Sequence, residues 1–122
     1  MNILLIDDSQ SDRMFTRRVL EDLLNRVMIV EAQTGEDGLI LFTTEKFDMV
    51  ICDLKLPGIS GYEVCRRIRR MDPEVNFVIQ TGSVFLLENK IAFECGANAV
   101  ITKSSHMEQL RKLMENGITN YV

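Results

Sequence analysis

Five short apolar runs recur along the chain, and each is followed by a longer stretch in which apolar residues return every three or four positions. The runs are Ile3 to Ile6, Val27 to Val30, Met49 to Cys52, Phe77 to Ile79 and Ala99 to Ile101. They are rich in aliphatic and β-branched residues and too continuous for a sheet with one wet face, so both faces must be covered. The intervening stretches predict helices from Ser9 to about Asn25, from about Thr34 to Glu45, from about Ser60 to Met71, from about Ser83 to Glu94, and from Ser105 to Asn116. In the first of these, Met14, Phe15, Val19, Leu20, Leu23 and Leu24 are expected to face inward. Ser105-His106-Met107-Glu108 reads as a capping box for the last helix, and Gly117 stands where a glycine would end it. Strand alternating with helix five times over predicts an open, doubly wound parallel α/β sheet with right-handed crossovers, strand order 2-1-3-4-5 and five helices.

At 122 residues, 46% apolar and 26% charged, the chain is expected to form a single self-sufficient domain over residues 1–122. Fourteen basic against eighteen acidic side chains leave a net charge of −4, which gives no field to hold nucleic acid or an anionic membrane. No apolar run exceeds four residues, against the roughly 20 of a membrane span, and Asp7 and Asp8 follow too soon for a signal peptide, so a cytoplasmic location is expected. Cys52, Cys65 and Cys95 lack paired spacing and are expected to be buried free thiols.

A sheet of this order binds ligands beyond the carboxyl ends of its strands, where the order reverses between the first and third. The residues expected at that rim are Asp7 and Asp8 after strand 1, Asp53 after strand 3, Thr81 after Gln80 on strand 4, and Lys103 after Thr102 on strand 5. Carboxylates on strands about 4.8 Å apart repel by about 3 kcal/mol per pair at an effective dielectric of 20, so a cation is required. Lys103 and a divalent metal are the candidates, and oxygen ligation by two or three carboxylates suits Mg²⁺ better than Zn²⁺. A hard cation, an ammonium and a hydroxyl around one carboxylate suit a phosphoryl group, with Asp53 as its acceptor.

The sequence resembles the response-regulator receiver domain of two-component signalling over its whole length. The residues that carry the likeness are Ile6-Asp7-Asp8-Ser9, Val50-Ile51-Cys52-Asp53-Leu54-Lys55-Leu56-Pro57-Gly58, Gly61, Thr81-Gly82, and Gly96-Ala97 leading to Lys103. The resemblance implies a flavodoxin-like fold and phosphorylation of Asp53 by a phosphohistidine of a sensor histidine kinase or histidine phosphotransfer protein. It implies Mg²⁺ held by Asp8, Asp53 and the backbone carbonyl of Lys55 with help from Asp7, and phosphoryl oxygens gripped by Thr81 and Lys103. The chain would be a switch and not an enzyme beyond its own phosphorylation and dephosphorylation. It would signal to a downstream protein of unknown identity, and could pair with a second copy through the expected fourth helix, fifth strand and fifth helix. Three positions depart from the family pattern: Ser104 stands where proline is usual, Val100 where an aromatic is common, and Gly82 where alanine is common. Asp-Leu-Lys-Leu-Pro-Gly is similar to the acceptor segment of the single-domain sporulation phosphorelay carrier, and a Lys55 ammonium lying over the phosphoryl group should slow its hydrolysis. Two other functions remain open. One is an interaction module that works without phosphorylation. The other is a haloacid-dehalogenase-like phosphatase, whose second aspartate is replaced here by Lys55.

Elsewhere, Arg66, Arg67, Arg69 and Arg70 read as a solvated helix face, and Arg13, Arg17 and Arg18 as a docking candidate near the rim. Val84-Phe85-Leu86-Leu87 should leave at least one apolar side chain exposed for a partner. His106, the single histidine, is expected to carry no chemistry.

Overall fold

The computed structural model describes residues 1–82, 94–103 and 106–116. The expected helix from Ser83, with Val84 to Leu87, lies outside the described residues except for Glu94, as do Ser104, Ser105 and Gly117. Five strands form one parallel sheet in the order β2-β1-β3-β4-β5: β1 (Asn2–Ile6), β2 (Met28–Ala32), β3 (Met49–Asp53), β4 (Asn76–Thr81) and β5 (Ala99–Thr102). The described residues hold four helices instead of the five expected: α1 (Gln10–Leu23), α2 (Gly35–Thr44), α3 (Gly61–Met71) and α4 (His106–Asn116). None of these is long and apolar enough to cross a membrane.

Three helices begin at the same short motif. Ser9, Thr34 and Ser60 are extended, and each side-chain oxygen accepts from the backbone N–H three residues on, at 3.3, 3.1 and 3.3 Å. Each of those residues, Asp12, Asp37 and Glu63, is acidic and sits in the first turn, where the helix dipole favours it.

Because side chains alternate along a strand, the sheet separates two cores. Leu4, Ile6, Val50, Cys52, Phe77 and Ile79 pack with Val64, Cys65 and Ile68 of α3 on one face. Ile3, Leu5, Met49, Ile51, Val78 and Ile101 pack with Val19 and Leu20 of α1 and Leu110 and Leu113 of α4 on the other. The three cysteines are free and buried.

Two expectations need correction. Helix α1 turns Val19, Leu20, Leu23 and Leu24 to the core as expected, but nearer its start Arg13 and Thr16 are buried and Met14 and Phe15 are 52% and 49% exposed. The cause is Arg13, whose guanidinium donates to the Asp7 carbonyl oxygen at 2.6 Å and to Glu31 at 2.9 Å, drawing its side of the helix onto the strand ends. Arg13 is therefore committed to the interior and is no docking residue, and Arg17 is paired with the same Glu31. On α3, Arg66 and Arg67 do lie on a solvated face with Glu63, but Arg69 is half-buried and donates to three backbone carbonyls.

Candidate functional site

Strand register determines which side chains meet at the carboxyl rim. In β1 and β3, Ile6 stands beside Cys52, so Asp7 and Asp53 are the next neighbours along; in β3 and β4, Asp53 stands beside Gln80. Alternation then sends Asp7, Asp53, Gln80 and Lys103 to the face that carries Ile3, Ile51, Val78 and Ile101, the face covered by α1. Asp7 is fully buried and Asp53 is 6% exposed. Gly61 opens α3 directly against the end of β3: its N–H donates to the Leu54 carbonyl at 2.9 Å, and any added Cβ would collide with the Asp53 carbonyl oxygen. A glycine is needed there so that the helix can close on the strand that carries Asp53.

The Asp7 carboxylate is held at both oxygens. Oδ1 accepts from the Ser9 N–H at 3.0 Å, and Oδ2 accepts from Gln80 Nε2 at 2.9 Å and lies 3.3 Å from Lys103 Nζ. Lys103 Nζ also donates to Asp53 Oδ2 at 3.1 Å and to Asp12 Oδ2 at 2.7 Å. The ammonium is thus surrounded by three acids. Carboxylate oxygens of Asp7, Asp8 and Asp53 fall within 4.8 Å of one another, with Asp8 the exposed member. Thr81 is buried at the end of β4, in register with Thr102, and Lys55 is exposed two residues past Asp53.

The electrostatics follow from this crowding. Burial pushes the Asp53 carboxyl up to about 6; Lys103 works against that rise, and the Asp7 and Asp8 carboxylates add to it. For Lys103, burial would lower the amine, but the contacts with Asp12, Asp53 and Asp7 outweigh it and hold the amine above its ordinary value. An all-oxygen set of three close carboxylates, one of them open to solvent, fits a hard divalent cation of the Mg²⁺ type, and cation binding would relieve the repulsion that adds to the effect of burial at Asp53.

Sequence reasoning brought Asp7, Asp8, Asp53 and Lys103 to one rim, and the structure places them together. Asp12 and Gln80 were given no role, although both touch this cluster. Gln80 could have been found from the register opposite Asp53, and Asp12 from its place in the first turn after the paired acids.

The family model for the response regulator receiver domain matches residues 3–115. The chain belongs to that family. Receiver domains are components of two-component signalling, and the relatives agree. The chain is 37% identical over 81 residues to the response regulator UvrY of Escherichia coli K12, a match that covers 66% of this chain and 37% of UvrY. It is 36% identical over 104 residues to the transcriptional regulatory protein AfsQ1 of Streptomyces coelicolor, covering 84% of this chain and 44% of that protein. The chain therefore spans less than half the length of these two relatives. Among solved structures, a two-component response regulator of the LuxR family from Aurantimonas superposes with a TM-score of 0.89 at 31% identity, covering 98% of this chain and 86% of the other. The doubly wound, flavodoxin-like topology of this receiver is the one expected from its sequence.

Proposed function

We propose that this receiver accepts a phosphoryl group from a phosphohistidine onto Asp53, in a Mg²⁺-dependent reaction, and transmits the change through protein contacts. The observation that carries the reading is a nearly buried carboxylate at the end of the central strand, 3.1 Å from an ammonium and within reach of two further acids. Burial and the neighbouring acids favour any process that removes the Asp53 charge from the pocket, and forming an acyl phosphate does so by moving charge onto the more exposed phosphoryl oxygens.

In the transfer, an Asp53 oxygen forms a bond to phosphorus as the nitrogen to phosphorus bond of the donor imidazole breaks, and the imidazole leaves with the electron pair. Mg²⁺ bound by Asp7, Asp8, Asp53 and the Lys55 carbonyl would supply charge neutralisation at the phosphoryl oxygens. Lys103 supplies a donor to one of those oxygens, and the Thr81 hydroxyl at the adjoining strand end supplies another. Gln80 and the Ser9 N–H fix the Asp7 carboxylate so that its orientation does not depend on ligand. Residues 1–122 act as one receiver unit. Its partners are a sensor histidine kinase or histidine phosphotransfer protein on the donor side and a downstream protein on the output side, and a second copy of the chain could bind through the surface that includes β5.

The test is mass spectrometry after incubation with acetyl phosphate and Mg²⁺. We expect an adduct of about 80 Da, one phosphoryl group, that is absent from Asp53→Asn and from protein treated with a chelator. An adduct that survives Asp53→Asn sinks the assignment, and steady release of phosphate would indicate a phosphatase instead. The same assay dates the adduct: Lys55 is exposed and free to lie across the phosphoryl group, so the half-life should exceed minutes and shorten severalfold in Lys55→Ala. A wild-type half-life of minutes or less removes the role given to Lys55.

A further inference from the structure

Ser9-Gln10-Ser11-Asp12 has the form of a capping box, in which the acid of the first turn reaches back to the N–H of the cap residue. Only half of the box is made. The Asp12 N–H donates to Ser9 Oγ at 3.3 Å, but the Ser9 N–H is taken by Asp7 Oδ1 at 3.0 Å. The Asp12 carboxylate turns instead to Lys103, and at 2.7 Å it holds the shortest of the three acid contacts of that ammonium, against 3.1 Å for Asp53 and 3.3 Å for Asp7. Asp12 and Asp53 each accept a hydrogen bond from this ammonium, whereas Asp7 is an ion-pair contact only.

On the reading of Asp53 as phosphoacceptor, turning Lys103 onto a phosphoryl oxygen draws Nζ out of the position that these contacts set. Asp7 is fully buried, where a carboxylate left without its neighbouring cation is costly, whereas the Asp12 side chain is 45% exposed and rehydrates at little cost. The Asp12 contact is the one that yields. We propose that Asp12 is a positioning residue that draws Lys103 toward α1 in the unphosphorylated receiver and so sets how readily the lysine turns onto the phosphoryl group. A first-turn acid that merely complements the helix dipole would affect stability alone.

The probe is fluoroberyllate, an anionic mimic of a phosphoryl group on a carboxylate, titrated with saturating Mg²⁺ against the full chain and followed by fluorine NMR. Asp12→Asn should bind it about three- to fivefold more tightly, the scale of one half-exposed charge contact no longer surrendered. Asp12→Glu, which keeps the carboxylate, should return toward the wild-type affinity. The Lys103 Nζ resonance should move in Asp12→Asn before any probe is added. An Asp12→Asn affinity within about twofold of wild type or weaker, or an unmoved Lys103 resonance, overturns the inference while leaving the phosphoacceptor reading intact. Failure of the wild-type chain to bind the probe at all would remove that reading and this inference with it.

Discussion

Lys103→Met should destabilise the metal-free protein by about 2 to 3 kcal/mol, and Mg²⁺ should restore much of the loss. The lysine is the cation shared by Asp7, Asp12 and Asp53, and two of those acids are buried. Removing one partner of a buried ion pair leaves an uncompensated charge, at a cost of about 3 to 5 kcal/mol. The figure is discounted here because Lys103 is 28% exposed and the Asp12 side chain is 45% exposed, so that contact alone contributes under about 1 kcal/mol. For a chain of this length the loss corresponds to a fall in Tm of roughly 8 to 12 °C.

The pH dependence has a definite sign. The Asp53 carboxyl titrates at about 6 in the folded protein against 3.8 ordinarily, so between those values the folded state binds more protons than the unfolded state. Stability contributed by this group therefore falls as pH rises from about 4 to 6. Lys103 is shifted in the opposite sense to a buried isolated amine: its folded value is raised, so its contribution is complete below the ordinary lysine range and is lost only in strong alkali. Without Lys103 the lowering contact on Asp53 disappears, and the decline with pH should steepen and extend above pH 6. Urea unfolding of wild type and Lys103→Met at pH 5 and pH 8, with and without Mg²⁺, reads this directly. The gap should be wider at pH 8, narrow on adding metal, and shrink by at least about half when Asp53→Asn is combined with it, because the two changes share one network. Equal stability of wild type and Lys103→Met at both pH values would mean that the three acids do not depend on the lysine.

What could be read from the chain in advance was whatever depends on periodicity and on strand ends. Val50-Ile51-Cys52 is buried on both faces, and an uninterrupted apolar run has few alternatives to a central parallel strand, so β3 and the position of Asp53 at its end follow directly. The order 2-1-3-4-5 then brings Asp7 beside Asp53 without any knowledge of side chains. What was not legible depends on polar side chains that act inside the fold. Met14 and Phe15 satisfy a helical apolar pattern, but the Arg13 contacts with Asp7 and Glu31 rotate them outward, and no hydrophobicity pattern contains that information. Asp12 carries a local signal for a capping box, yet its partner lies 91 residues away because Asp7 has taken the local donor. Arg69 is one of four arginines in five positions, where composition favours a solvated surface, and only the fold reveals the carbonyls it reaches.

That arginine gives the largest stability effect expected away from the acidic rim. Arg69 Nε donates to the Gly96 carbonyl at 2.8 Å, Nη1 to the Val75 carbonyl at 2.6 Å and the Asp72 carbonyl at 3.3 Å, and Nη2 to Asn98 Oδ1 at 2.5 Å. Asn98 Oδ1 also accepts from the Phe77 N–H at 2.8 Å. One guanidinium thus ties the end of α3 to the approach of β4 and to the turn before β5. Its stem fills the space above Gly96, whose φ of +107° is accessible to glycine and strained for other residues; a Cβ there would come within 2.6 Å of Arg69 Cγ. Replacing it leaves several partly buried carbonyls without donors, each worth about 1 kcal/mol or more where the donor was charged. Arg69→Met, which keeps the stem and removes the donors, should therefore cost about 3 to 4 kcal/mol, or a fall in Tm of roughly 10 to 15 °C. Lys should recover little, because an ammonium cannot span the four acceptors that the planar fork reaches. Asn98→Ala should be costly alone but add less than its full value to Arg69→Met, since the two share a hydrogen bond. Arg69→Met within about 1 kcal/mol of wild type in urea unfolding would show that water replaces the guanidinium at these carbonyls and that α3 is secured to the sheet by its apolar face alone.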